Sequence, residues 1–246
     1  MRNDRLAPGR STDRLAIGQI GLVGLFVTAL VTAQLTAAKL LALRLPVELP
    51  RVGAEIVLPG AALAYALTFF ASDCYAELYG RRAAQIMVNV AFALNFVVLG
   101  LVWSTLRAPA LDPGFAETFA AALAPSTNIV LGSLLAYLVS QNWDVFVFHW
   151  LRDYTAGQYL WLRNLASTAS SQALDTVIFV VVAFVAAPVL FGTGQPESTA
   201  VVISLVLGQY LLKLLIAVVD TPVVYLVVRL LRPGGLDAHN GYVADD

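Results

Sequence analysis

The chain has 246 residues, a net charge of −1 and a mean hydropathy of +0.77, and only 13% of its residues are charged. A soluble domain carries roughly 25%, so the composition places this chain in a bilayer, and the absence of a basic excess excludes nucleic acid as a partner. One cysteine, Cys74, excludes an intrachain disulfide, and two histidines, His149 and His239, give no support to a zinc site.

Residues 1–14 hold four arginines and read as a disordered polar arm on the cytoplasmic face. The apolar run from Leu15 to Leu43 is too long for a cleaved signal and reads as a retained first span. Within it Thr32, Thr36 and Lys39 share a face that excludes Gln34, and Lys39 either snorkels to the interface or lines a cavity. Pro46, Pro50 and Pro59 then bar a helix, which predicts an extracellular loop with room for a short hairpin.

The second span, Gly60 to Tyr79, ends in SDCYAELYGRR. Asp73 and Glu77 lie on one face there, either as an interfacial cluster paired with Arg81 or Arg82, or as a gate or ion site. The third span, Ala83 to Leu106, offers Asn89 and Asn95 as interhelical hydrogen-bond glue. Pro109, Pro113 and Pro125 interrupt the next connection, whose middle reads as a short helix on the membrane.

The fourth span, Thr127 to Leu151, aligns Tyr137, Gln141, Asp144 and Phe148 on a stripe suited to a lined cavity, with Asn142 and His149 to its side. No nucleophile motif accompanies His149, which reads as interfacial. The fifth span, Trp161 to Phe191, opens with WLRNLASTASSQALDT. Its Asn164, Ser167, Thr168, Ser171, Gln172 and Asp175 fall within an arc of roughly 140°. A carboxylate near the bilayer centre costs at least about 2.5 to 3.5 kcal/mol, so something inside the protein needs this face.

The sixth span, Thr199 to Leu231, sets Gln209, Lys213 and Asp220 on one face, with a kink expected at Pro222. Lys213 and Asp220 stand about 10 Å apart along the axis, so each needs a partner on another helix or a ligand. Residues 232–246 read as a disordered polar tail. Arginines favour one side of this topology, with Arg44, Arg51 and Arg107 as the exceptions, which predicts both termini in the cytoplasm.

The expected fold is therefore all-α: a multi-pass protein of the cell (inner) membrane with six transmembrane helices in one bundle over residues 15–231. Recurrent intramembrane carboxylates, Asp144, Asp175 and Asp220, point to a substrate or ion pathway rather than to glue, which is usually Ser, Thr or Asn.

Three blocks carry a family resemblance: LPGAALAYALTFFASDCYAELYGRRAA, SLLAYLVSQNWDVFVFHWLR and WLRNLASTASSQALDTVIFVVVAF. They resemble the Asp-x-x-x-Glu-x-x-Gly-Arg, Ser-Gln-x-x-Asp and Arg-Asn-x-x-Ser-Thr blocks of the vitamin-uptake or queuosine-precursor transporters, six-helix inner-membrane proteins. The resemblance implies import of a 7-deazaguanine, the cyano or aminomethyl precursor of queuosine, with vitamin-like and other purine substrates open.

The residue chemistry suits such a base independently. A carboxylate accepts both N–H groups of a guanine-like amidine edge, amides serve the other edges, and an aromatic ring stacks on the face. Asp175 or Asp144 takes the amidine edge, with Gln141, Asn164 and Gln172 on the remaining edges and Thr168 on the same stripe. Tyr137, Phe148, Trp143 and Trp161 are stacking candidates. Asp73, Glu77, Lys213 and Asp220 form the ion or gating set, and a facilitator without proton coupling fits equally.

No nucleophile or metal motif appears, so the chain reads as no enzyme, with no cofactor and no metal. The alternative is the substrate-binding membrane subunit of an ATP-driven importer. A purine-like small molecule and the lipid bilayer are the expected partners, and so few helices leave room for a homodimer.

Overall fold

The structure, a computed structural model, describes residues 8–49, 53–156 and 158–231. Its elements are α1 (Pro8–Thr36), β1 (Leu40–Leu49), β2 (Gly53–Pro59), α2 (Ala62–Tyr79), α3 (Arg81–Arg107), α4 (Pro113–Leu123), α5 (Ser126–Tyr154), α6 (Leu160–Val181), a π-helical turn (Val182–Ala186), α7 (Ala187–Phe191) and α8 (Thr199–Leu231). Five stretches of the described residues are long and apolar enough to cross a bilayer: Ile17–Thr36, Arg81–Arg107, Pro113–Tyr154, Leu162–Phe191 and Thr199–Leu231. Ile86, Leu101, Leu165 and Val218 stand exposed on their outer faces, as contact with lipid tails requires.

Helix α1 begins at Pro8, where a fixed φ suits a first turn, so residues 8–14 are helical rather than the disordered arm expected. Residues 1–7 and the tail 232–246 lie outside the described residues. At the other end α1 stops at Thr36, and Leu40–Leu43 enter a strand instead of prolonging the span. Pro46 bars further helix, while the run Ile56-Val57-Leu58 supplies an extended partner.

The resulting antiparallel hairpin pairs Leu40 with Pro59 and Arg44 with Glu55, and the ladder becomes irregular between Arg44 and Leu49, around Pro46. Among the described residues the fold is thus mostly helical with one two-stranded hairpin, a departure from the all-α expectation. The hairpin docks on α8. The Val57 N–H donates to Ser204 Oγ at 2.9 Å, and Ile56 and Leu58 are buried. Gly208 is the notch that allows this approach, since a Cβ there would stand 2.5 Å from the Val57 carbonyl oxygen.

Two apolar clusters form the core. Leu22, Phe26 and Leu30 of α1 pack on Ala71 and Tyr75 of α2 and Met87 and Ala91 of α3. Ala33, Ile129, Val180, Phe184 and Leu205 join α1, α5, α6, the π turn and α8. The π turn has a local cause: Pro188 has no N–H to return to the Phe184 carbonyl, which accepts from the Glu197 N–H at 2.9 Å instead. Gly132 of α5 fits against this turn, where a Cβ would meet that of Ala183 at 2.9 Å.

The short helix expected in the 107–126 connection is α4, opened by Asp112, whose Oδ1 accepts from the Gly114 N–H at 2.9 Å and the Phe115 N–H at 3.2 Å. Helix α8 continues through Pro222.

Candidate functional site

The two cores leave a cavity of about 280 Å³ between α1, α2, α3, α5, α6 and α8, close to the lower end of the roughly 300–1,000 Å³ typical of small-ligand sites. Aromatic rings line much of it, and its polar groups are amides, hydroxyls and one carboxyl group. Tyr137 stacks on Phe92 with ring centroids 4.6 Å apart and planes 12° apart, and Tyr65 meets Phe69 edge-on at 4.9 Å. Gln34, Gln85, Gln141, Gln172 and Gln209 reach the same space from five helices.

These amides are unevenly satisfied. The Tyr137 hydroxyl donates to Asn89 Oδ1 at 2.6 Å and accepts a short hydrogen bond from Gln85 Nε2, which also reaches Asn89 Oδ1 at 3.1 Å. Gln34, 3% exposed, accepts from Ser133 Oγ at 3.4 Å. By contrast, Gln172 Oε1 and Gln209 Nε2 are buried with no hydrogen-bond partner among the described residues. A buried polar atom without a partner costs about 1–3 kcal/mol, and these two, an acceptor and a donor, belong to side chains that line the cavity.

Asp175 is the one acidic side chain among the described residues that line the cavity. Its Oδ1 accepts from Ser140 Oγ at 3.3 Å, and its Oδ2 meets Lys213 Nζ at 2.7 Å. Lys213 stands behind that wall, 5.8 Å from the centroid of the Tyr65 ring. The sequence asked for a partner of Lys213 on another helix or a ligand, and Asp175 of α6 is that partner. Asp220 likewise faces Asp73 across α8 and α2, and its Oδ2 is buried without a hydrogen-bond partner among the described residues.

The seven expected binding residues divide. Tyr137, Gln141, Gln172 and Asp175 line the cavity. Asp144 lies beyond it, accepting from Ser171 Oγ at 3.2 Å, and Asn164 and Thr168 are exposed. Asn164 and Thr168 fall near the Asp175 line in helical angle, but about 16 Å and 10 Å away along α6. Among the stacking candidates, Phe148 carries the Arg163 guanidinium 5.1 Å above its ring, and Trp143 is exposed and donates to Ser170 Oγ at 3.1 Å. The Trp161 side chain lies outside the described residues.

Gln34, set apart from the Thr32, Thr36 and Lys39 face, is the polar α1 residue that lines the cavity, beside Phe26, Leu30 and Ala33. Thr32 and Thr36 are exposed and donate to the carbonyls of Thr28 and Thr32, and Lys39 is exposed. Asn89, read as glue, does bridge α3 to α5, and it does so at the cavity wall. Asn95, 1% exposed, has neither amide atom partnered among the described residues. Sequence reasoning missed Tyr65, Gln34 and Gln85 as lining residues and left Gln209 out of the binding set, although its period with Lys213 marked an inward face.

A family profile described as "Putative vitamin uptake transporter" matches residues 59–227. The chain is 31% identical over 172 residues to the "Probable queuosine precursor transporter" of Bacillus subtilis (strain 168), covering 68% of this chain and 70% of that protein. No solved structure matches the chain.

Proposed function

Since the chain belongs to the vitamin uptake transporter family, we propose that it imports a 7-deazaguanine precursor of queuosine into the cytoplasm. The observation that carries this reading is the pair of unmet amide atoms, Gln172 Oε1 and Gln209 Nε2, in a cavity with Asp175 and stacked aromatics. A guanine-like base offers the matching set. Its amidine N–H groups go to Asp175, its carbonyl to Gln209, a further N–H to Gln172, and its ring face to Tyr137 or Tyr65.

In this reading α2, about 27 Å long at 1.5 Å per residue, is the sixth crossing in a single bundle of the cell membrane. Both termini face the cytoplasm, where the arginine bias puts them, and the hairpin faces outward. The chain binds its base without cofactor or metal, performs no chemistry on it, and has the bilayer as its other partner, with a homodimer as its assembly. Thr168 and Asn164 continue the Asp175 stripe toward the inner face as the release route. Asp73 and Asp220, with Glu77 nearby, are the groups a proton-coupled cycle uses. Uptake in vesicles with and without an imposed proton gradient tests coupling, and equal initial rates mean facilitated diffusion.

The primary experiment uses cells that lack their own precursor synthesis. Labelled cyano precursor enters, and queuosine returns to tRNA, with the wild-type chain and not with Asp175→Asn. Uptake by this chain alone in a heterologous host also separates it from a subunit of an ATP-driven importer. A well-inserted wild type that imports nothing overturns the proposal.

A further inference from the structure

We infer that the β1–β2 hairpin is the outer gate of the cavity: docked on α8 it closes one end of the substrate space, and it swings about its base at Lys39 and Gly60 to admit the base. This rests on the transport reading above and adds the moving part through which substrate enters.

The cavity is unevenly enclosed. Next to the hairpin the lining residues Ala37, Pro59 and Ala61 are all buried, Ala37 to 2% exposure. Away from it, Gln85 in the second turn of α3 and Gln141 midway along α5 line the same space and are exposed. The space is thus sealed at the hairpin and least enclosed toward α3 and α5. A substrate arriving from the hairpin side meets a closed wall.

That wall is attached lightly. The helices are held by the two apolar cores, and the hairpin only edges onto the second of them through Leu40 and Val57. Among the described residues its hold on α8 is a hydrogen bond, the Val57 N–H to Ser204 Oγ at 2.9 Å, and the fit of Ile56 and Leu58 around Gly208. Gly208 presents no side chain, so the strand lifts from the helix without unthreading an interlocked pair.

The base of the hairpin is held more tightly than its face. The Gly60 N–H donates to the Lys39 carbonyl at 2.6 Å, and a Cβ on Gly60 would stand 2.6 Å from the Thr36 carbonyl oxygen, so both legs stay joined at the end of α1. Hinges are residues at element ends that absorb changes in φ and ψ, and Ala37–Lys39 with Gly60 occupy such positions. Rotation there lifts Ile56 and Leu58 off α8 and turns Pro59 out of the cavity wall.

The test locks the hairpin shut. The Val57–Ser204 bond brings the two Cα atoms within the roughly 4.4–6.8 Å that a disulfide spans, so Val57→Cys/Ser204→Cys supplies the lock. Native Cys74 is fully buried on α2 and stays outside this exchange. Initial uptake of labelled cyano base by cells is measured with the double variant oxidised and then reduced. Oxidation lowers uptake about tenfold or more, reduction restores it, and neither single variant responds to oxidant. In detergent, where the base reaches both ends of the cavity, the oxidised protein keeps its affinity within about threefold, because the lock closes an entrance and leaves the site intact.

A fully cross-linked protein that imports at the reduced rate overturns the gate. So does one that loses affinity in detergent, since the hairpin then shapes the site instead of guarding it. If the cysteine pair fails to insert or to cross-link, Ala37→Cys decides. A small membrane-impermeant thiol reagent added outside labels it slowly, and adding Ser204→Ala speeds labelling about fivefold by removing the hydrogen bond that holds the hairpin down. An unchanged labelling rate overturns the gate as well. If the wild type and the reduced double variant both import no base, the transport reading itself fails, a result distinct from import that ignores the lock.

Discussion

At the scale of single residues, the site depends on which polar groups already have partners. Removing one member of a buried ion pair typically costs about 3–5 kcal/mol because the other is left charged and unpaired. Asp175→Asn and Lys213→Met each therefore lower the thermal stability of the detergent-solubilised protein, and the double variant costs less than their sum. Gln209→Leu separates binding from stability. It removes an unmet buried donor, so the empty protein gains about 1 kcal/mol, while affinity for the base falls roughly tenfold through the lost hydrogen bond. Thermal shift and ligand titration on one preparation check both signs. Residue types and helical angle were legible here: Asp175, Gln172, Tyr137 and Gln141 follow from period alone. Depth was not, because a period of 3.6 gives the face of a helix and leaves open which turn of that face meets the cavity, and so Asp144, Asn164 and Thr168 fell outside it.

At the scale of elements, small residues and one proline decide the shape. The hairpin is held to α8 by the Val57–Ser204 bond and by the space at Gly208. Ser204→Ala costs about 1 kcal/mol, whereas Gly208→Val forces β2 off the helix and costs about 1–3 kcal/mol or more. The larger loss of thermal stability for the glycine variant is the check. Gly132→Val acts in the same way against the π turn, which shifts α6 and the Asp175 wall, so it lowers base affinity as well as stability. The hairpin was foreshadowed by Pro46, Pro50 and Pro59, yet its docking was not, since glycine in an apolar helix reads as neutral until a neighbour arrives. Pro188 was equally visible, but its effect depends on the Glu197 N–H that takes over the Phe184 carbonyl.

At the scale of the whole molecule, Cys74 offers a direct test of topology. It is the single cysteine and is fully buried, so the wild type resists a membrane-impermeant thiol reagent. A cysteine introduced at Glu117 is then labelled from outside intact cells, and one at Asp153 only after permeabilisation, if the proposed orientation holds. By itself the sequence determined that this chain lives in a bilayer and which faces of α5, α6 and α8 are polar, while the first span, read as Leu15 to Leu43, ends at Thr36. Those properties are local: hydropathy, helical period and proline each act within a few turns of chain. Only the tertiary structure decided that Lys213 pairs with Asp175, that Asp220 faces Asp73, that Gln34 rather than Lys39 turns inward, and that five glutamines converge on one cavity. Those outcomes depend on the rotation and depth of each helix against its neighbours, which packing of small and large side chains sets and no single segment encodes.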